Sequence, residues 1–147
     1  MNETEMLHDP GILIVDDNAE VRTLLQFSFG RTGFHSCCAE NGFEALRMLR
    51  QRNFRYLVTD YNMPGMDGLE LAERARELVP ELRIILETGD STPELRRRAF
   101  ARGIEAVLAK PFTVQVVVEL VSRWLPNMQS AARETLTPPA EGVGQNG

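Results

Sequence analysis

Short apolar runs alternate with helix-period segments five times along this chain. The runs are rich in β-branched residues and too short for buried helices, so they predict strands. Between them, apolar residues recur three and four positions apart, which predicts helices with one buried face. The predicted strands are 11–15, 34–39, 56–59, 82–86 and 106–109. The predicted helices are 19–29, 42–49, a segment around 71–78, 93–102 and a last helix that begins near 114.

Three of the predicted strands, 11–15, 56–59 and 106–109, are apolar almost throughout and do not alternate with polar residues. Such strands are buried on both faces, which is typical of a parallel sheet covered by helices on each side. In the first helix we expect Val21, Leu24, Leu25 and Phe29 to face the core. The sequence therefore predicts an α/β fold of three layers.

The chain has 147 residues, enough for one domain with a substantial core. We expect a domain over residues 10–126, a flexible N-terminal arm over 1–9 and a disordered tail over 127–147, where Pro, Gly, Ala, Ser, Thr and Gln dominate. No apolar run approaches the length of a membrane span, and the start lacks a signal-peptide pattern. These features predict a soluble, cytoplasmic protein.

Charge and cysteine content exclude some classes of function. The net charge is −5, which argues against direct DNA binding, because that requires a basic surface. Cys37 and Cys38 are adjacent and lie in an apolar run, and no set of zinc ligands accompanies them. We expect them to be buried, reduced thiols. The basic run 96–98 is expected to be a solvated helix face.

Polar residues of unusual chemistry follow four of the predicted strands. The first strand is followed by Asp16 and Asp17, the third by Asp60, the fourth, two positions on, by Thr88 and the fifth by Lys110. The carboxyl ends of parallel strands meet at one edge of a sheet, where ligands bind. We therefore expect three carboxylates, one hydroxyl and one ammonium group to converge there.

Clustered carboxylates repel one another unless a cation joins them. Mg²⁺ binds hard oxygen ligands and is often shared with a phosphate group. A metal ion between Asp17 and Asp60 would bring a phosphoryl group to the Asp60 carboxylate, with Lys110 and Thr88 as further contacts. Phosphoryl transfer depends mainly on such positioning and charge stabilisation. A carboxylate nucleophile would form an acyl phosphate.

Four segments, in order and with matching spacing, resemble the signatures of the response-regulator receiver family. The resemblance extends over about residues 11–125, and its most distinctive part is the Asp-x-x-Met-Pro-x-Met-x-Gly pattern. The four segments are Ile14-Val15-Asp16-Asp17, residues 59–68, Thr88-Gly89 and Lys110-Pro111-Phe112.

This resemblance implies a flavodoxin-like (βα)5 sandwich with a five-stranded parallel sheet in the order 2-1-3-4-5. It implies that Asp60 accepts the phosphoryl group. It also implies that Asp17, Asp60 and the backbone carbonyl of Asn62 bind Mg²⁺ directly, and that Asp16 acts through a water molecule.

The resemblance further implies that Thr88 hydrogen-bonds the phosphoryl group, that Lys110 pairs with it, and that the Lys110–Pro111 bond is cis. The phosphodonor would be a histidine kinase or a histidine phosphotransfer protein. Phosphorylation would change binding to a downstream protein target, without DNA or membrane binding. A homodimer through helix 4, strand 5 and helix 5 is a further expectation.

Two positions depart from the family pattern. Val107 stands three residues before the lysine, where receivers usually carry Tyr or Phe, so the usual aromatic switch is in question. The loop 89–93 is an alternative switching element. Glu87 precedes Thr88 where an apolar residue is expected. If Glu87 is buried, its carboxyl needs a partner.

Two other functions compete with the phosphoacceptor switch. Aspartyl-phosphate hydrolases of the haloacid dehalogenase type also use an aspartate nucleophile and Mg²⁺, but they need a second Asp where this chain has Asn62. The chain also offers no cap domain. A degenerate receiver that serves only for docking is the other alternative, and the five intact polar positions argue against it.

Overall fold

The computed structural model describes residues 11–124, in which five strands alternate with five helices. The predicted N-terminal arm and C-terminal tail lie outside these residues. The strands are β1 (Gly11–Val15), β2 (Ser36–Ala39), β3 (Phe54–Asp60), β4 (Arg83–Thr88) and β5 (Ala106–Ala109). The helices are α1 (Ala19–Arg31), α2 (Gly42–Gln51), α3 (Gly68–Leu78), α4 (Pro93–Ala101) and α5 (Val114–Arg123).

All five strands run parallel in one sheet, in the order β2-β1-β3-β4-β5. The predicted flavodoxin-like topology is therefore confirmed. Register joins Val15 of β1 to Thr59 of β3, and Asp60 to Glu87 of β4. Consequently, the residues that follow β1 and end β3 and β4 lie side by side at one sheet edge.

Burial on both sheet faces explains why β1 is apolar along its whole length. Leu13 and Val15 join a core cluster formed with α2, α3 and α4, whereas the alternate residues Ile12 and Ile14 are buried outside that cluster. Successive strand residues point to opposite faces, so β1 is covered on both sides. Helix α1 contacts β1 and β2.

Helix α1 differs from its predicted face at one residue. Leu25 and Phe29 are buried as predicted, and Val21 is half-buried. Leu24, expected to face the core, is 53% exposed, and that prediction was wrong. The buried residues are four positions apart and therefore share one face of the helix. Leu24 lies about 100° around the helix axis from Leu25, and Phe27, three positions after Leu24, is also exposed.

Side-chain caps fix where α1 and α3, the helices that follow β1 and β3, begin. Asn18 precedes α1 and its side chain accepts hydrogen bonds from the Glu20 and Val21 N–H groups at 2.8 and 3.2 Å. Asp67 accepts from the Glu70 N–H at 2.9 Å at the start of α3. These caps satisfy N–H groups that have no partner within the helix. They also end the loops that carry the site residues.

Strand β2 is the edge strand that carries both cysteines. Cys37 and Cys38 are free thiols, as predicted, but they are half-buried and not fully buried. The Arg52 guanidinium lies 2.9 Å from the Cys37 sulfur. Strand β2 begins at Ser36, two residues later than predicted, whereas β3 begins two residues earlier at Phe54.

The chain divides into two compact units between Val114 and Gln115. The first unit contains the whole sheet and helices α1 to α4. The described part of the second unit is residues 115–124, which include all of the last helix except Val114. The buried residues Val117, Val118 and Val121 of this helix lie on one face as predicted. Val114, the first residue of that helix, is half-buried.

Candidate functional site

Three aspartates meet at the carboxyl end of the sheet. Asp16 follows β1 and Asp60 ends β3, and both are buried, whereas Asp17 is exposed. One carboxylate oxygen from each of the three lies within 4.8 Å of the others. The predicted convergence of the three carboxylates is therefore present, and the cluster has one solvent-facing side.

Lys110 brings a positive charge to this cluster. Its Nζ lies 3.0 Å from Asp60 Oδ1, and its backbone N–H donates to the Thr88 carbonyl oxygen at 2.7 Å. Burial alone would lower the pKa of Lys110, but the Asp60 hydrogen bond and charge, with Asp16 and Glu87, outweigh it and raise that pKa. Lys110 therefore stays charged. The Lys110–Pro111 bond is cis, as the resemblance implied.

Thr88 is fully buried at the last position of β4. Its hydroxyl oxygen accepts a hydrogen bond from the Asp90 N–H at 3.0 Å. A hydroxyl accepts and donates at the same time, so the Thr88 proton stays available to another acceptor. Thr88 thus connects the strand end to the loop that precedes α4.

Asn62 lies in the loop between β3 and α3. Two backbone hydrogen bonds of 2.8 Å hold the start of this loop, because the Tyr61 N–H donates to the Glu87 carbonyl and the Gly68 N–H donates to the Tyr61 carbonyl. Asn62 itself is exposed. Its predicted role as a carbonyl ligand remains a prediction.

Burial and neighbouring charge both act on Asp16. Burial raises the pKa of Asp16. The Asn18 N–H, which donates to Asp16 Oδ1 at 2.9 Å, lowers that pKa, whereas the negative charge of Asp60 raises it further. The other oxygen, Oδ2, is buried and has no hydrogen-bond donor among the described residues. An unpaired oxygen in a carboxylate cluster fits a bound hard cation, directly or through water.

Glu87 is a fourth carboxyl group at this edge, and it is almost completely buried. It lies in register with Asp60, and its side-chain Oε2 has no hydrogen-bond partner among the described residues. Burial, and next the charge of Asp16, raises the pKa of Glu87 to about 8. The sequence flagged this position as unusual, but only the structure shows that the group is buried.

Val107 is buried on β5, so no aromatic ring occupies the position that usually carries one. The guanidinium of Arg96, on α4, lies nearby. Its Nη1 donates to the Val107 carbonyl at 3.2 Å, and the guanidinium carbon Cζ lies 5.4 Å from the centre of the Phe100 ring. The run of arginines is exposed, as predicted, although Arg96 also contacts the neighbouring strand.

One contact beside the site was not predicted from the sequence. Arg22, on α1, donates from Nη1 to the backbone carbonyl oxygen of Asp16 at 2.7 Å. An arginine one turn into an amphipathic helix carries no signal that distinguishes it from a solvated surface residue. Only the fold reveals that it reaches back to the strand end.

The sequence of this chain matches one known protein family. Residues 12–122 match the family described as the response regulator receiver domain. The chain belongs to this family. A curated relative, the Chemotaxis protein CheY of Pseudomonas aeruginosa, is 37% identical over 115 residues, which cover 76% of this chain and 93% of the relative.

Solved receiver structures have the same fold. CheY4 of Vibrio cholerae superposes with a TM-score of 0.73 at 28% identity, covering 78% of this chain and 97% of the other. A response regulator from Burkholderia pseudomallei, solved with a phosphorylated aspartic acid, a calcium ion and citrate, gives 0.71 at 27% identity and covers 90% and 76%. Receiver domains of two-component systems are signalling switches and not classical enzymes.

The helices of residues 11–124 lack the combination of length and apolar character that crossing a lipid bilayer requires.

Proposed function

We propose that this receiver is a phosphoacceptor switch in which Asp60 takes a phosphoryl group from a histidine kinase or a histidine phosphotransfer protein. The observation that carries the proposal is the pairing of Asp60 Oδ1 with Lys110 Nζ at 3.0 Å inside a cluster of three carboxylates. The Burkholderia pseudomallei relative was solved with a phosphorylated aspartic acid, which supports aspartate as the acceptor.

In the proposed reaction, an Asp60 carboxylate oxygen forms a bond to phosphorus as the donor's P–N bond breaks. The bonding electrons leave with the donor imidazole, and the product is an acyl phosphate. Lys110 stabilises negative charge on the phosphoryl oxygens, and the free Thr88 proton donates to one of them. Thr88 ends β4 and Lys110 directly follows β5, so both lie at the carboxyl edge of the sheet that also carries Asp60.

We propose Mg²⁺ as the required cation, held by Asp17, Asp60 and the Asn62 carbonyl, with Asp16 acting through water. When bound, the ion offsets the charge of the carboxylates and the incoming phosphoryl group. The donor set supports this choice, because Mg²⁺ prefers oxygen ligands and keeps several waters, and the exposed side at Asp17 leaves room for them.

The test is phosphorylation of the full chain by acetyl phosphate with Mg²⁺, followed by intact mass spectrometry. The wild-type protein should gain one phosphoryl group, and Asp60→Asn should gain none. Asp67→Asn is the matched control, because Asp67 ends the loop that follows Asp60 and asparagine is an equally good helix cap. Equal modification of wild type and Asp60→Asn would contradict the proposal.

The same protein preparation separates the alternatives. A switch is modified once per cycle, whereas a haloacid dehalogenase-type hydrolase would release phosphate catalytically from small esters. A docking-only receiver would neither react with acetyl phosphate nor bind beryllofluoride. Measuring phosphate release with a chromogenic ester, and beryllofluoride binding by NMR, distinguishes the three.

We propose that the signal leaves the site through the loop before α4, because Val107 provides no aromatic ring to change rotamer. The Asp90 N–H already donates to the Thr88 hydroxyl, so a shift of Thr88 toward the phosphoryl group moves the loop directly. Beryllofluoride should then perturb the amide NMR signals of residues 89–93. These perturbations should be lost in Thr88→Ala, and their persistence there would rule out this route.

A further inference from the structure

Asp17 lies between two peptide groups that are each held by a side chain. The peptide before it carries the Asp16 carbonyl, which accepts the 2.7 Å hydrogen bond from Arg22 Nη1. The peptide after it carries the Asn18 N–H, which donates to Asp16 Oδ1 at 2.9 Å. Fixing both peptide planes fixes the direction in which the Asp17 Cα–Cβ bond leaves the backbone. The carboxylate of Asp17 is exposed and accessible to an ion.

Arg22 is well placed to hold the first of these peptides. Its side chain is only 17% exposed, and it projects from the first turns of α1. The hydrogen bond to the Asp16 carbonyl is short and its donor is charged, which makes it one of the stronger kinds. Arg22 also lies 4.0 Å from the Glu40 carboxylate, but Glu40 is 71% exposed, so that ion pair is weak.

The direction of Asp17 matters because of what its carboxylate would bind. Mg²⁺ requires near-ideal octahedral geometry, so a ligand that is free to swing binds it less tightly. Groups that orient metal ligands without touching the metal typically change affinity by ten to a hundredfold. Asp16 and Asp60 are buried and ordered by packing, whereas exposed Asp17 depends on its backbone for its orientation.

We propose that Arg22 is a positioning residue that orients Asp17 and thereby sets the affinity of the site for Mg²⁺. The inference rests on the function proposed above. Arg22 acts through the 16–17 peptide and touches neither the ion nor the phosphoryl group.

A purely electrostatic role for Arg22 predicts the opposite sign. Removing a positive charge beside an acidic cluster strengthens the attraction of that cluster for cations. Loss of positioning weakens cation binding. The direction of the change in Mg²⁺ affinity therefore distinguishes the two roles, and a merely structural link between α1 and β1 would change the unfolding free energy without changing Mg²⁺ affinity.

The experiment is isothermal titration calorimetry of the full chain with Mg²⁺, which measures the dissociation constant. Arg22→Met keeps the apolar stem and removes the donor, and its dissociation constant for Mg²⁺ should rise about tenfold. Arg22→Lys keeps the charge and one donor, and its dissociation constant should rise less. The controls are Glu40→Gln, which removes the ion pair alone, and Arg31→Met, an exposed arginine of the same helix; both should bind within about twofold of wild type.

Unchanged or tighter Mg²⁺ binding by folded Arg22→Met would overturn the inference. If that variant does not fold, Arg22→Lys decides the matter, because binding equal to Glu40→Gln would count against positioning. Asp17→Asn separates this inference from the proposed function. If wild type binds Mg²⁺ no better than Asp17→Asn, the magnesium site itself is refuted. If wild type binds Mg²⁺ better than Asp17→Asn does, but Arg22→Met binds as tightly as wild type, only the proposed role of Arg22 is refuted.

Discussion

Glu87→Gln is the substitution that most directly tests whether the buried Glu87 carboxyl makes stability depend on pH. Glutamine has nearly the same shape as a protonated glutamate, and it cannot ionise. The glutamate is 1% exposed, and its Oε2 is unpaired among the described residues. Any pH dependence that Glu87 gives to folding should therefore disappear in the variant, while packing changes little.

The sign follows from the pKa of Glu87 in the two states. Burial raises that pKa to about 8 in the folded protein, against an ordinary value of 4.5. Between these values the folded state binds more protons at Glu87 than the unfolded state, so the contribution of Glu87 to stability is greatest below pH 4.5 and falls as the pH rises towards 8. Each pH unit in this window costs about 1.4 kcal/mol, or about 3 kcal/mol in total at pH 7.

The assay is urea unfolding of wild type and Glu87→Gln at pH 5 and pH 7, with a chelator present to remove divalent ions. The variant should gain about 2 to 3 kcal/mol on wild type as the pH rises from 5 to 7. The matched control is Glu81→Gln, an exposed glutamate that precedes the same strand. A stability difference between wild type and Glu87→Gln that stays constant over this pH range would refute the reasoning.

Two further predictions concern Asp60 and its neighbours. Gly68→Ala should destabilise the fold by about 1 to 3 kcal/mol in thermal unfolding, because an added Cβ meets the Asp60 carbonyl oxygen. Gly30→Ala, in α1 with open space around it, should stabilise by about 0.5 to 1 kcal/mol, and similar effects of the two changes would contradict this account. Lys110→Met should slow phosphorylation by acetyl phosphate about tenfold or more, since it removes the ammonium group 3.0 Å from Asp60. A mass-spectrometric time course measures this, and an unchanged rate would exclude a role for the ammonium.

The amino-acid sequence by itself determined the alternation of strands and helices and the residues that gather at the sheet edge. Continuous apolar strands must be covered on both faces, and parallel strands bring their carboxyl ends together. Asp16, Asp17, Asp60, Thr88 and Lys110 could therefore be predicted as one cluster from their positions after the strands. This information is local, because it depends on which residue follows each apolar run.

Only the tertiary structure decided which side chains at that edge are buried and what they contact. Strand periodicity leaves the surroundings of Glu87 open, since the neighbouring strands determine whether its carboxyl meets water. Helix periodicity likewise allowed Leu24 to face the core, whereas the packing of α1 buries Leu25 and Phe29. The Arg22 contact with the Asp16 carbonyl arises where a helix folds back on the strand before it. Such contacts depend on the distances between elements, which no pattern along the chain encodes.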